Sequence, residues 1–208
     1  CQKATGLEAI SALEKALTEG ALKGVVLDLR NNPGGVLGAS VDMAGAVLDG
    51  GLVVYTEGRH PQAADRYEAA AGDLLNGTPI VVLINGGSAS ASEIVAGALQ
   101  DRRRAVIMGT RSFGKGSVQT ILPVSDTRAV KLTTALYYTP DGRSIQAEGI
   151  VPDIVVERAE VKSVESERRT KEADLQGSLS GGDPVDAQSE SESLTELRNS
   201  DNQLYEAL

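Results

Sequence analysis

Three serines spaced two apart, Ser88, Ser90 and Ser92, follow the turn residues Asn85-Gly86-Gly87, and a lysine, Lys115, stands further on between Gly114 and Gly116. A hydroxyl held in an exposed, rigid place, together with an amine that can lose its proton, makes a serine nucleophile with a lysine base. A lysine can serve that way only where burial and nearby positive charge bring its pKa from about 10.4 toward roughly 7–8. The elements around these residues suit the task. The run Pro79 to Ile84 is too continuously apolar for a strand with one wet face, and predicts a sheet covered on both sides. The glycine turn after it opens into Ser92 to Leu99, rich in helix formers. A serine near the first turn of that helix meets unpaired backbone N–H groups and a dipole that favours negative charge. Serine is also an ordinary capping residue at helix starts, which is the plainer reading of the triplet taken without the lysine.

The stretch SASASEIVAGALQD, followed by GTRSFGKGSVQ, resembles the core of the carboxyl-terminal processing, or tail-specific, serine proteases. Two further signatures agree: Gly24 to Gly35 (GVVLDLRNNPGG) and Tyr137 to Asp153 (YYTPDGRSIQAEGIVPD). The resemblance covers roughly residues 1–157. It implies that the middle serine, Ser90, is the nucleophile, that Lys115 is the base and that Gln119 orients the lysine. It also implies an oxyanion hole made of backbone N–H groups from Ala91 and from Gly34 or Gly35. Its fold is α/β, a crotonase/ClpP-like core of mixed sheets and helices, and it uses no metal or cofactor.

The residues themselves are compatible with those roles. Glycine neighbours let the Lys115 backbone approach other groups closely, an unusual setting for a surface lysine. If the chain is extended after Gly116, Lys115, Ser117 and Gln119 share a face, and the Gln119 carbonyl oxygen can hold the amine without adding a charge. Asn32-Pro33-Gly34-Gly35 reads as a type II turn, and Asp28 with Arg30 as a structural ion pair. Rival chemistries fit less well. Ser112-Phe113-Gly114-Lys115 matches S-x-x-K, but that motif should open a helix, and no S-D-N or K-T-G element accompanies it. Gly109 to Lys115 matches the first seven positions of a P-loop, yet Gly116 stands where Ser or Thr is required. The single histidine, His60, lies in a polar stretch and reads as a solvated loop residue, so a Ser-His-Asp triad is not supported.

At 208 residues the chain can bury a substantial core. Residues 157–208 hold 13 acidic and 6 basic residues, which is −7 of the net charge of −9. An acidic tail on a near-neutral body argues against nucleic acid as a partner. Cys1 is the sole cysteine, so no intrachain disulfide exists. No stretch is long or apolar enough to span a bilayer.

The expected order is helix 7–18, strand 24–29, helix 38–48, strand 51–55, a polar loop 57–77, strand 79–84, helix 90–101 and strand 105–108. Strands near 117–122, 129–138 and 154–157 complete it. Residues 1–157 read as the protease core without the PDZ domain that relatives carry upstream, and 158–190 as an acidic flexible linker. Residues 191–208 read as a C-terminal helix, with Leu194, Leu197, Leu204, Tyr205 and Leu208 on one face for oligomerisation. The resemblance further implies polypeptide substrates entering by an unstructured C-terminus, self-association through terminal segments, an adaptor protein as partner, and a bacterial periplasmic or envelope location. The rival expectation is a binding or assembly module whose protease fold stays inactive until a PDZ domain or adaptor acts.

Overall fold

A computed structural model describes residues 3–159 and 188–208. The chain divides into two units, Cys1–Glu157 and Arg158–Leu208. In chain order the first unit contains α1 (Lys3–Glu19), β1 (Val25–Asp28), α2 (Leu37–Gly45), β2 (Gly51–Gly58), a 3₁₀ turn (Pro61–Ala63), β3 (Arg66–Ala69) and β4 (Ile80–Ile84). It continues through α3 (Ala91–Asp101), β5 (Val106–Gly109), β6 (Ser117–Ser125), β7 (Arg128–Tyr138) and β8 (Ile154–Val155). The second unit contributes α4 (Gln188–Ser200) and α5 (Asn202–Glu206). Most of the expected acidic linker, from 160 to 187, lies outside the described residues.

One sheet is wholly parallel, with strand order β1-β4-β5-β8. Its second strand is the apolar run, and Val82, Leu83 and Ile84 have no exposed surface, as two-sided covering requires. The other sheet is antiparallel, with order β3-β2-β7-β6. Helix α3 joins β4 to β5, and every residue from Ala91 to Leu99 is buried. A helix buried all round, rather than along one stripe, lies in the middle of its domain. Ile10, Leu13 and Leu17 of α1 pack on the same core at helical spacing, and α2 adds Met43 and Ala44.

The expected polar loop 57–77 needs correction. Strand β2 runs on to Gly58, and Arg66–Ala69 forms an edge strand paired antiparallel with it. Arg66 and Glu68 point to solvent while Tyr67 and Ala69 are half-buried, so the alternation is real but too short and too polar to stand out from a loop. Likewise α2 stops at Gly45 rather than Leu48, and β6 extends to Ser125. In the second unit, Asp201 breaks the C-terminal stretch into two helices, its carboxylate accepting the Leu204 N–H at 3.1 Å.

The end of α3 is tied down by Arg104. Its guanidinium donates to the carbonyls of Val47 and Thr78, both at 2.9 Å, and to Asp73 at 3.0 Å. Asp73 also accepts the N–H groups of Leu75 and Gly77, each at 2.9 Å. Burial alone pushes the Asp73 carboxyl up, but the hydrogen bonds from Gly77, Arg104 and Leu75 and the Arg104 charge outweigh it, so the group sits below its ordinary 3.8. A depressed carboxylate stabilises the fold at pH above its unfolded value, and that contribution is lost as pH falls through the folded one. Asp73→Asn should therefore be less stable than the parent at pH 7, with the gap closing below about pH 4. Urea midpoints at pH 7 and pH 3 measure it, and an unchanged gap would remove Asp73 from the acid response.

Candidate active site

The three serines differ in what their hydroxyls do. Ser88 is fully buried and donates to the Leu29 carbonyl at 2.7 Å, while accepting the Asn85 N–H at 3.0 Å. Ser92 is fully buried and donates to the Asn32 carbonyl at 3.1 Å. Both therefore fasten the turn before α3 to the segment after β1. Ser90 is half-buried and opens α3 as its N-cap, in a capping box with Glu93: its side chain is turned to the Glu93 N–H, and its own N–H donates to the Glu93 carboxylate. Its carbonyl accepts from Glu93 at 2.9 Å and Ile94 at 3.0 Å. Its backbone stands at φ 55°, ψ −114°, a region that costs a non-glycine residue about 1–3 kcal/mol and persists only where the surroundings impose it. A sharp strand-to-helix turn of this kind pushes its serine hydroxyl out of the sheet toward solvent.

The segment after β1 closes on this turn. The type II turn expected at Asn32-Pro33-Gly34-Gly35 does not form: the turn lies at Arg30-Asn31, closed by the Asn32 N–H on the Leu29 carbonyl at 3.2 Å, and the Asn32 carbonyl is taken by the Ala89 N–H and the Ser92 hydroxyl. Gly34 still stands at φ 91°, where glycine is favoured. A Cβ there would stand 2.7 Å from the Ala91 nitrogen and 2.9 Å from the Ser90 Cβ, so only glycine allows the approach. The Gly34 N–H donates to the Asn32 side chain at 3.0 Å. Gly35 is exposed. The Asp28–Arg30 ion pair forms as expected, at 2.7 Å.

Glu93, which the sequence reading passed over as helix material, connects the parts. Its side chain is completely buried. One oxygen accepts the Ser112 hydroxyl and the Gly114 N–H, each at 2.6 Å. The other accepts the Ser90 N–H at 2.7 Å and the Lys115 N–H at 2.8 Å. Four donors filling two oxygens match the lone pairs of an ionised carboxylate, placed in the first turn of α3 where the dipole favours it. One group thus fixes the Ser90 backbone and the Lys115 backbone together. The signal was present as Ser-x-x-Glu from Ser90 to Glu93, a capping box.

The lysine loop is held from its other side by the third signature. Ala147 N–H donates to the Gly114 carbonyl at 2.9 Å, and Gly116 N–H to the Gln146 side chain at 3.1 Å. Ile150 N–H donates to the Ser112 hydroxyl at 2.7 Å. Beyond Gly116 the chain enters β6, whose partner β7 carries one unmatched residue, Thr134, between the pairs Val118–Ala135 and Gln119–Thr133. Val118, Thr120 and Leu122 face a groove shared with Leu37, so Ser117 and Gln119 lie on the opposite face. Lys115 and Gln119 are exposed. Among the described residues no hydrogen bond joins the side chains of Ser90, Lys115 and Gln119. His60 is exposed and caps the 3₁₀ turn.

Residues 3–156 match the profile of peptidase family S41. The chain belongs to that family. A carboxy-terminal-processing protease of Bartonella bacilliformis is 59% identical over 150 residues, covering 72% of this chain and 35% of the relative. A carboxyl-terminal-processing protease of Synechocystis sp. is 43% identical over 169 residues, covering 81% of this chain and 38% of the relative. Among solved structures, the photosystem II D1 C-terminal processing protease superposes with a TM-score of 0.67 at 41% identity, over 74% of this chain and 39% of that one. Mature CPAF, at 16% identity and a TM-score of 0.58 over 71% and 42% of the two chains, shares the fold. This S41 chain is therefore similar to the carboxyl-terminal processing proteases, and it spans little more than a third of the length of the two curated relatives.

Because Glu93 serves four donors, Glu93→Gln should leave at least one amide facing another donor. The expected loss is about 1–3 kcal/mol for each donor left unpaired, read from urea unfolding. Amide exchange at Gly114 and Lys115 should quicken in the same variant, and protection equal to the parent's would show that the carboxylate does not hold the loop.

Proposed function

We propose that this S41 chain is the catalytic part of a serine endopeptidase that cleaves polypeptides through an acyl-enzyme. Ser90 attacks the scissile carbonyl. Lys115 takes the hydroxyl proton and returns it to the leaving amine, and Gln119 orients the lysine. The oxyanion is received by the Ala91 N–H and by the Gly34–Gly35 segment, where Gly35 has the uncommitted N–H among the described residues. The observation that carries the reading is the division of labour among the serines. Ser88 and Ser92 are buried and hydrogen-bonded to the segment after β1, while Ser90 sits strained and half-buried at the helix mouth, bonded among the described residues to nothing outside its own turn but Glu93. The names of the relatives support substrates entering by an unstructured C-terminal tail. The family relationship also supports a periplasmic or envelope location and self-association through terminal segments, with an adaptor as further partner.

A second reading has its own observation. Lys115 and Gln119 are exposed and unbonded to Ser90, which favours a site completed only when a PDZ domain or adaptor acts. Incubation with unfolded casein separates the two, since cleavage by this chain alone removes the second.

Ser90→Ala and Lys115→Ala should each lower casein cleavage by more than about 10³-fold in a folded protein, and the double variant should be no worse than either single one. A fluorophosphonate should modify Ser90, and capture at Ser88 or Ser92 would overturn the assignment. Deleting residues 190–208 should lower the solution mass read by light scattering, and an unchanged mass would end the self-association proposal for that segment.

A further inference from the structure

Strand β6 begins two residues after Lys115, runs for nine residues and is the last strand of its sheet. Among the described residues nothing pairs with its outer edge. The Tyr137 N–H donates to the Gly116 carbonyl at 2.7 Å, so the following peptide unit points the other way and Ser117 turns its N–H and carbonyl outward. The unmatched residue of the bulge belongs to β7, so the alternation along β6 continues unbroken through Gln119 and Ile121. The next outward position is Pro123, which has no N–H to offer. The open edge therefore offers three outward residues starting beside the lysine and closes at a proline.

The side chains of β6 are as informative as its backbone. Val118, Thr120 and Leu122 line a groove of about 1090 Å³, together with residues of β2, the 3₁₀ turn and β7 and with Leu37. Leu37 opens α2, three residues past Gly34, so the groove is lined both by the strand that leaves Lys115 and by a residue close in sequence to the segment that closes on Ser90. Ile121 is 66% exposed, Leu122 45% and Leu132 of the pairing strand 48%. A long apolar edge left open in this way invites pairing with another chain, and sheet edges elsewhere take extended peptides as added strands, with alternate side chains in pockets.

We propose that the outer edge of β6 binds the polypeptide substrate as an added strand, with Ser117, Gln119 and Ile121 pairing its backbone. Its apolar side chains enter the groove lined by Val118, Thr120 and Leu122. The inference rests on the serine-peptidase reading for the identity of its occupant, an unfolded apolar polypeptide. The added strand is sequence-tolerant because main-chain groups make it, while the groove selects side chains by size and hydrophobicity. Pro123 sets the far end of the paired stretch.

The test uses the full chain with Ser90→Ala, which cannot turn the ligand over, and fluorescein-labelled β-casein as ligand. Residue-resolved hydrogen exchange at saturating casein should slow by at least about tenfold at Ser117, Gln119 and Ile121. It should stay unchanged at Val118, Thr120 and Leu122, which already face β7. Leu122→Glu should weaken casein binding by about tenfold by fluorescence anisotropy, with far-UV circular dichroism unchanged. Casein binding without protection at the three outward amides overturns the proposal, and so does failure to bind. A solution dimer of the parent that Leu122→Glu dissociates, with casein affinity unaltered, also overturns it and assigns the edge to a second copy. Fluorophosphonate labelling of the parent reports on Ser90 independently: labelling without β6 protection removes the strand alone, and protection without labelling removes the nucleophile alone.

Discussion

A carboxylate with no exposed surface must be satisfied by donors, and the donors Glu93 finds are three main-chain amides and one hydroxyl of the candidate site itself. The cost of leaving such a group unpaired in a dry interior is several times the net gain of an ordinary hydrogen bond. Its four partners therefore act as one unit: the elbow at Ser90, the hydroxyl of Ser112 and the amides of Gly114 and Lys115. Helix α3 can carry the carboxylate there because it is buried on every side. The two sheets and the helices α1 and α2 supply that covering. The site's geometry is thus inherited from the core, and loosening the core loosens the chemistry.

The second fixed point is the close approach of Gly34 to Ser90 and Ala91. It ties the end of β1 to the start of α3, with Ser88 and Ser92 as fasteners on either side of the elbow. These bonds leave Ser90 as the member of the triplet whose hydroxyl does not tie the turn to the segment after β1. The antiparallel sheet stands in contrast. Its β6–β7 hairpin extends past the core with Ile121, Val124 and Val130 exposed, so the molecule is tightly determined at the elbow and open along the strand that leaves it.

Much of this was legible in the residues. The buried character of β4 followed from an unbroken apolar run, and the start of α3 from the turn signal before it. The Asp28–Arg30 pair was readable because it is local, whereas the turn expected at Asn32-Pro33-Gly34-Gly35 gave way to one at Arg30-Asn31 because the Asn32 carbonyl bonds the start of α3. What escaped depended on packing between distant segments. Glu93 looked like a helix former, and nothing local revealed donors from residues 112 to 115. Arg66–Ala69 was hidden because an edge strand of four residues with two charges reads as loop. The sharing of a face by Ser117 and Gln119 came from simple alternation, and it survives because the bulge falls on the partner strand. The equivalence of the three serines could not be broken from sequence without the family resemblance. Only tertiary hydrogen bonds separate them physically.

The strained backbone at Ser90 sets the role proposed for this residue against the stability of the fold. At φ 55° and ψ −114° a glycine would rest without the steric cost that a serine carries there. Exchange of that one side chain for hydrogen relaxes the fold at the same moment that it removes the hydroxyl. With Ser90 as the proposed nucleophile, an inactive form of this domain therefore lies a single, structurally favourable step away. Selection on stability alone would drift toward it, so the serine persists only where its hydroxyl is used.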